Sequence, residues 1–205
     1  MKKHLIHLPI LLIAACTHVD NSEGMRTVDI APSDRGVVSG VGVGGHDVVS
    51  MSDKMMRDLL SVPDLAGRAT SPRIIIDSSL FENKSSQAID KDLITDRLRV
   101  QLNRAAKGRM LFVNREHIAR VTQERDLKRA GLMDHGSTGL ADKLAGADFS
   151  LTGRIGTLDA GDASNGMVQR FTQITFEMMD LETGVIVWSN DYTINRAGQD
   201  NVVYR

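Results

Sequence analysis

The strongest constraint on the fold is the alternation of apolar and polar residues near the C-terminus, in residues 169–194. Successive side chains of a β-strand point to opposite sides, so each arm of this stretch would have one apolar face. The apolar faces comprise Thr172, Ile174, Phe176 and Met178 on the first arm, and Ile186, Trp188, Tyr192 and Ile194 on the second. Asp180 and Gly184 lie between the arms and are typical of a short hairpin loop. We therefore predict a β-hairpin against a hydrophobic core that buries Trp188, the only tryptophan.

The first residues of the chain have the pattern of an export signal. Two lysines precede an apolar stretch, residues 5–15, that is too short to span a bilayer. Cys16, the only cysteine, ends the motif Ile-Ala-Ala-Cys, which resembles the lipid-attachment box of bacterial lipoproteins. An ordinary secretory signal with an incidental cysteine is the alternative. We predict a signal peptide over residues 1–15 and lipidation at Cys16. By the same resemblance, Thr17 after the cysteine implies transfer to the outer membrane.

The remaining chain is predicted to contain a tether and one domain. Residues 16–45 are predicted to be a lipidated N-terminus and flexible tether, because their Val/Gly run offers few side chains for packing. Residues 46–205 are predicted to form the globular domain. Its predicted elements before the hairpin are a helix at 46–60, a strand at 73–77, a polar loop at 78–87, a helix at 91–106, a buried strand at 110–113, a helix capped by Asn114 and ending near 129, a short helix at 140–144, a strand at 149–155 and a polar loop at 156–166. After the hairpin, residues 196–205 are expected to be frayed. This order predicts a single-domain α/β sandwich with a mixed sheet that ends in a three-strand antiparallel meander.

The charged residues give no sign of catalysis or of nucleic-acid binding. The chain has 25 Lys and Arg against 26 Asp and Glu, so no basic field favours a nucleic acid. His117 and His135 are isolated, and the six histidines do not cluster at metal-ligand spacing. Asp159 and Asp162 lie in a Gly/Asp-rich stretch that could bind calcium, but its spacing misses the EF-hand pattern, so an exposed turn is favoured. We predict no catalytic residue, metal, cofactor or small-molecule substrate, and therefore no enzyme.

The predicted polar loop at 78–87 is the best candidate for a partner-binding segment. It follows a predicted central strand, and loops in this position of α/β sheets often carry function. Asn83 and Lys84 lie where packing does not require them, so we predict that they contact a partner. A solvated connection without function is the alternative reading of the same residues.

Several short motifs together resemble the LpoB family of outer-membrane lipoproteins. They are IIIDS at 74–78, LRVQL at 98–102, LFV at 111–113, GAD at 146–148 and ETGVIVWS at 182–189. The last of these is the most specific, and the similarity extends over residues 46–194. Related folds, such as the amino-terminal domain of TolB and the secretion lipoprotein CsgG, have similar strand and hairpin patterns.

The resemblance implies a fold, a partner and a location. The fold would be TolB N-terminal/CsgG-like, with helices packed on the mixed sheet. The protein would be a non-catalytic periplasmic regulator, held in the outer membrane by its lipid, that binds and activates a class A penicillin-binding protein in peptidoglycan synthesis. The alternative is a CsgG-like subunit of an envelope or secretion assembly.

Overall fold

A computed structural model describes Gly24 and residues 27–203. The predicted signal peptide and the predicted lipidation site, Cys16, lie outside these residues. From Ala31 onward the described residues belong to one compact unit. None of the helices in the described part of the chain is long and apolar enough to cross a membrane.

The described chain contains four helices and five strands. The helices are α1 (Gly45–Ser61), α2 (Pro63–Ala66), α3 (Lys91–Ala106) and α4 (Ile118–Arg129). The strands are β1 (Arg73–Lys84), β2 (Leu111–Phe112), β3 (Phe149–Asp162), β4 (Met167–Asp180) and β5 (Ile186–Gln199). They form one sheet in the order β2-β1-β3-β4-β5. β1 is parallel to β2 and β3, whereas β3, β4 and β5 are antiparallel, which confirms the predicted mixed sheet and meander.

The core lies between one face of the sheet and the helices α1 and α3. α3 presents Ile94, Leu98 and Leu102 to this core at intervals of four residues, all at most 1% exposed, because residues four apart share one side of a helix. Asp90 caps the helix by accepting hydrogen bonds from two backbone amides of its first turn. The sheet contributes Ile74, Ile76, Phe81, Phe149, Leu151, Ile155, Ile174, Phe176, Met178, Trp188 and Ile194.

The hairpin between β4 and β5 confirms the prediction for Trp188. Its side chain is 9% exposed, and its indole Nε1 donates a 2.7 Å hydrogen bond to Asp58 Oδ2 on α1. Gly184 closes the turn with a φ of +73°, in the left-handed region that favours glycine. The prediction for Ile186 was wrong, because a bulge opposite Met178 and Met179 interrupts the alternation and leaves Ile186 51% exposed.

Three predicted irregular segments are largely strand. β1 continues to Lys84, so the polar loop is confined to residues 85–90. β3 continues to Asp162, where pairing with β4 overrides the Gly/Asp-rich composition of the predicted loop at 156–166. β5 continues to Gln199 through the predicted frayed end, because it stays paired with β4 up to the Met167–Gln199 pair.

The segment between α3 and β3 also differs from its prediction. β2 has only two residues at the edge of the sheet, and Leu111 is exposed, so it is not a buried strand. Asn114 does not cap α4; its Oδ1 accepts a hydrogen bond from His117 N in a turn that precedes the helix. The predicted short helix at 140–144 does not form, and residues 131–147 contain no helix.

The last residues of the predicted tether pack against the domain. Val41 and Val43 are 2% and 8% exposed. The side-chain amide of Gln87 accepts a hydrogen bond from Val43 N at 2.8 Å and donates one to Val43 O at 3.0 Å. Arg196 Nη1 donates to Gly42 O at 2.6 Å. These contacts place residues 41–45 with the domain rather than with a free tether.

Candidate functional site

A concave surface with polar side chains lies on the face of the sheet that points away from the core. Between Ile76 and Phe81, β1 has four residues opposite a single residue of β3, so the strand bows outward. The bow leaves a cavity of about 400 Å³ next to β3 and β4. Its lining includes Ser79, Leu80, Glu82, Thr152, Arg154 and Glu177. We call this surface the sheet groove; it combines hydroxyl groups with charges of both signs.

Glu82 and Arg154 line the sheet groove, and together with Lys84, which pairs with Glu82, we call them its rim. Lys84 Nζ lies 3.0 Å from Glu82 Oε2, and Arg154 Nε lies 3.7 Å from the same oxygen. A hydrogen bond from Lys84 is the main cause that lowers the pKa of Glu82, and the positive charges of Lys84 and Arg154 add to it. The Lys84 and Arg154 side chains are 64% and 68% exposed, so both cations are accessible to a partner.

The structure separates the two residues that the sequence predicted to bind a partner. Lys84 points outward from β1, onto the rim. Asn83 points to the other side, where its Nδ2 donates to Gln87 O at 2.9 Å and its Oδ1 accepts from Ser85 N at 3.0 Å. Asn83 therefore shapes the turn that positions Gln87 against Val43. Asn83 therefore has a role within the fold, and its contact with a partner stays a prediction, as it does for Lys84.

Asp159 and Asp162, which were predicted to lie in an exposed turn, both accept hydrogen bonds from other residues of the chain. Arg170 donates to both carboxylate oxygens of Asp159, at 2.7 and 3.0 Å, and these bonds are the main cause that lowers the pKa of Asp159. Asp162 accepts hydrogen bonds from the backbone and hydroxyl of Ser164, which lower its pKa. Over residues 27–203 no group of three or more His, Cys, Asp or Glu side chains is placed to hold a metal ion.

The predicted partner-binding loop at 78–87 contained Ser79, Leu80 and Glu82 without singling them out, and sequence reasoning missed Arg154 and the continuation of β1. Phe81, an apolar residue inside the predicted polar loop, was a signal that the strand continues. In a strand, Phe81 and Asn83 point to one side and Glu82 and Lys84 point to the other. No local signal pointed to Arg154, because the register of two strands far apart in sequence brings it to Glu82.

The family model of LpoB, described as a peptidoglycan-synthase activator, matches residues 47–194. This match covers well over half of the chain and contains the core, the sheet groove and the hairpin. The chain belongs to the LpoB family. No curated protein matches it at a significant level.

Solved LpoB structures are similar to this chain at low identity. The LpoB C-terminal domain from Escherichia coli is 17% identical, with a TM-score of 0.40, and the match covers 71% of this chain and 96% of that chain. The corresponding domain from Salmonella enterica is 17% identical, with a TM-score of 0.39 and coverages of 68% and 94%. Lipoprotein GNA1162 from Neisseria meningitidis is 12% identical, with a TM-score of 0.31 and coverages of 64% and 87%.

Proposed function

We propose that this LpoB-family chain is a lipid-anchored periplasmic regulator, held in the outer membrane by Cys16, that binds and activates a class A penicillin-binding protein. The observation that carries the proposal is the match to peptidoglycan-synthase activators over residues 47–194. The lipid attachment rests on the Ile-Ala-Ala-Cys motif at the N-terminus. The chain regulates the synthase and leaves the polymerising and crosslinking chemistry to it.

The sheet groove is the surface that we assign to this contact. Lys84 and Arg154 both pair with Glu82 there, and the lining includes Thr152, whose hydroxyl donates to Glu177 O at 3.4 Å. Exposed charges of this kind orient an approaching partner and select against partners of the wrong charge. Lys84 is retained from the sequence prediction as a partner-binding residue, whereas Asn83 supports the site through the turn behind it.

Activation without catalysis requires the chain to bind one state of the synthase more tightly than another. A binder shifts a conformational equilibrium only by the difference between its affinities for the two states. Couplings of this kind typically reach about 1–3 kcal/mol, which corresponds to about 5–150-fold. We therefore expect the conformational equilibrium of the synthase to shift within this range at saturation, and its rate to rise by at most the same factor.

The test measures binding and stimulation together. The full lipidated chain, purified in detergent, is titrated against a class A penicillin-binding protein from the same organism, and glycan polymerisation is followed with a fluorescent lipid-linked precursor. Arg154→Glu should weaken binding by about tenfold or more, because a carboxylate at this position would repel the negatively charged partner group that the guanidinium binds. Arg57→Glu, which reverses an exposed arginine on α1, is the matched control and should bind like the wild type.

Two outcomes would contradict the proposal at different levels. A wild-type chain that neither binds nor stimulates the synthase at micromolar concentrations would show that the function is wrong. Normal stimulation by Arg154→Glu would leave the function standing and would show that the contact lies outside the sheet groove.

A further inference from the structure

α4 differs from the other long helices because it has no packed face. α1 buries six residues and α3 buries five, whereas none of the 12 residues of α4 is buried. A helix of this length is only marginally stable in water by itself, since most helical stability in proteins comes from tertiary packing. The stabilisation that α1 and α3 obtain from the core is therefore missing at α4.

Arginine side chains join α4 to the coil that follows it. Arg125 Nη2 donates to the carbonyl oxygens of Ala141 and Asp142, at 3.0 and 3.2 Å, and Arg129 Nη2 donates to the same two atoms at 3.2 Å. We call α4 with residues 130–147 the α4 flap. The acceptors are backbone carbonyls, and neither arginine forms an ion pair with a carboxylate among the described residues.

A groove between α4 and the coil combines apolar side chains with an excess of positive charge. The cavity measures about 390 Å³, and Val121 and Leu140 line it while remaining 44% and 45% exposed. Its cations are Arg120, Arg125, Lys128 and Arg129. The one carboxylate in the lining, Glu124, pairs with Lys128 at 3.4 Å. The groove therefore has a net charge of about +3 from four cations and one anion.

Other apolar side chains extend the exposed surface of the flap. The exposed large hydrophobic residues here are Ile118, Val121, Leu132, Met133, Leu140 and Leu144. Exposed apolar side chains grouped in one segment beside charged residues are typical of interaction sites. Apolar side chains of a partner would pack against this surface. Its carboxylates would bind the arginines, because a guanidinium binds a carboxylate through two parallel hydrogen bonds.

We propose that the α4 flap is a docking surface for an acidic peptide segment with large apolar side chains. Such a segment would bury Val121 and Leu140, neutralise the arginines and supply the packing that α4 lacks. Helical segments that present apolar residues at a spacing of three and four bind grooves in this manner. The proposal concerns other residues than the sheet groove and does not depend on the identity of the synthase.

The probe is a synthetic peptide of about 15 residues with leucines at helical spacing and glutamates between them. Its matched control has the same leucines with glutamine at every glutamate position. Fluorescence anisotropy measures binding to the full chain, and hydrogen exchange measures the protection of the α4 amides. We expect the acidic peptide to bind at least about tenfold more tightly than the control and to slow exchange at residues 118–129 by about tenfold or more.

A charge variant locates the site without loosening the flap. Arg120 lines the groove and forms no ion pair or side-chain hydrogen bond among the described residues, so Arg120→Gln removes a charge and leaves the coil attached. Arg125 and Arg129 are unsuitable, because they hold Ala141 and Asp142. We expect Arg120→Gln to weaken the acidic peptide by about threefold or more, whereas Arg57→Gln on α1 should have no effect.

Three outcomes would overturn the proposal. The first is equal binding of the acidic and glutamine peptides, and the second is an equal effect of Arg120→Gln and Arg57→Gln. The third uses anionic phospholipid vesicles in place of the peptide. If vesicles protect the α4 amides and the acidic peptide does not, the flap binds a lipid surface and the peptide assignment is wrong.

Discussion

The contact between Gly153 and Phe81 allows a quantitative test of how the sheet is packed. Gly153 on β3 pairs with Phe81 on β1 and with Phe176 on β4. A Cβ atom added at Gly153 would lie 2.3 Å from Phe81 Cε1 and 2.5 Å from Cδ1. Carbon atoms prefer separations of about 3.5–4.0 Å, so the ring would have to move by about 1 Å or more. Phe81 is only 1% exposed and has no open space to enter.

The expected effect of Gly153→Ala on stability combines two destabilising effects and one stabilising effect. Overpacking a core site costs about 1–3 kcal/mol. Phe81 also packs edge-to-face on Phe176, with ring centroids 5.5 Å apart at 62°, and disturbing such a pair costs about 0.5–1.5 kcal/mol. Replacing glycine by alanine also lowers the conformational entropy of the unfolded chain, which stabilises the folded state by about 0.4–1 kcal/mol. We therefore expect Gly153→Ala to lower the free energy of unfolding by about 2 kcal/mol.

Urea unfolding of a double-mutant cycle measures this cost and its origin. Phe81→Leu removes part of the ring that Cβ would meet, so the double variant should be more stable than the sum of the single changes predicts, by about 1 kcal/mol or more. Gly156→Ala on the same strand is the control, because nothing lies within 4 Å of its added Cβ. It should leave stability unchanged within about 0.5 kcal/mol or raise it slightly.

The reasoning would be refuted by either of two results. If Gly153→Ala and Gly156→Ala have equal free energies of unfolding, the space above Gly153 is not filled by Phe81. If the costs of Gly153→Ala and Phe81→Leu add without coupling, the destabilisation has another origin.

Three further predictions concern other parts of the chain. Trp188→Ala should lower the free energy of unfolding by about 3–5 kcal/mol in chemical denaturation, because it removes a buried side chain and leaves Asp58 without its indole donor; an unchanged midpoint would contradict burial. Asp159 has a lowered pKa in the folded state, so its ion pair with Arg170 stabilises the fold above the unfolded pKa, near 3.8, and this stabilisation is lost as pH falls through the folded value. Asp159→Asn should therefore be less stable at pH 7 and should lose less stability on acidification; parallel pH profiles would refute this. Mass spectrometry of the mature protein should find a diacylglyceryl group on Cys16, and an unmodified thiol there would exclude the anchor.

Sequence reasoning succeeded where the determining interactions are local. The bounds of α3, Lys91–Ala106, follow from apolar residues four apart, from an aspartate at the start and from Gly108 after the end. The turn at Gly184 was equally predictable, because a left-handed residue between two alternating runs needs no information from elsewhere in the chain.

Sequence reasoning failed where partners distant in sequence decide the structure. The end of β3 is rich in Gly and Asp, yet it remains a strand because β4 pairs with it residue by residue, and Asp159 is held by Arg170 from that strand. The sheet groove could be predicted only in part for the same reason. Lys84 was named from its position in the sequence, whereas Arg154 reaches the candidate site through the β1–β3 register, which the bow in β1 shifts.

The packing of Val41 and Val43 affects how far the proposed regulator can reach. Gln87 pairs with the backbone of Val43 as a neighbouring strand would, and Arg196 binds Gly42 O, so the last residues of the predicted tether are held by the domain. Five residues fewer shorten a fully extended tether by about 17 Å. The turn that holds Gln87 is shaped by Asn83, whose neighbour Lys84 lies on the rim of the sheet groove. The end of the predicted tether and the proposed partner side therefore approach each other through two adjacent residues of β1, so we expect a pull on such a tether to act next to the proposed partner-binding surface.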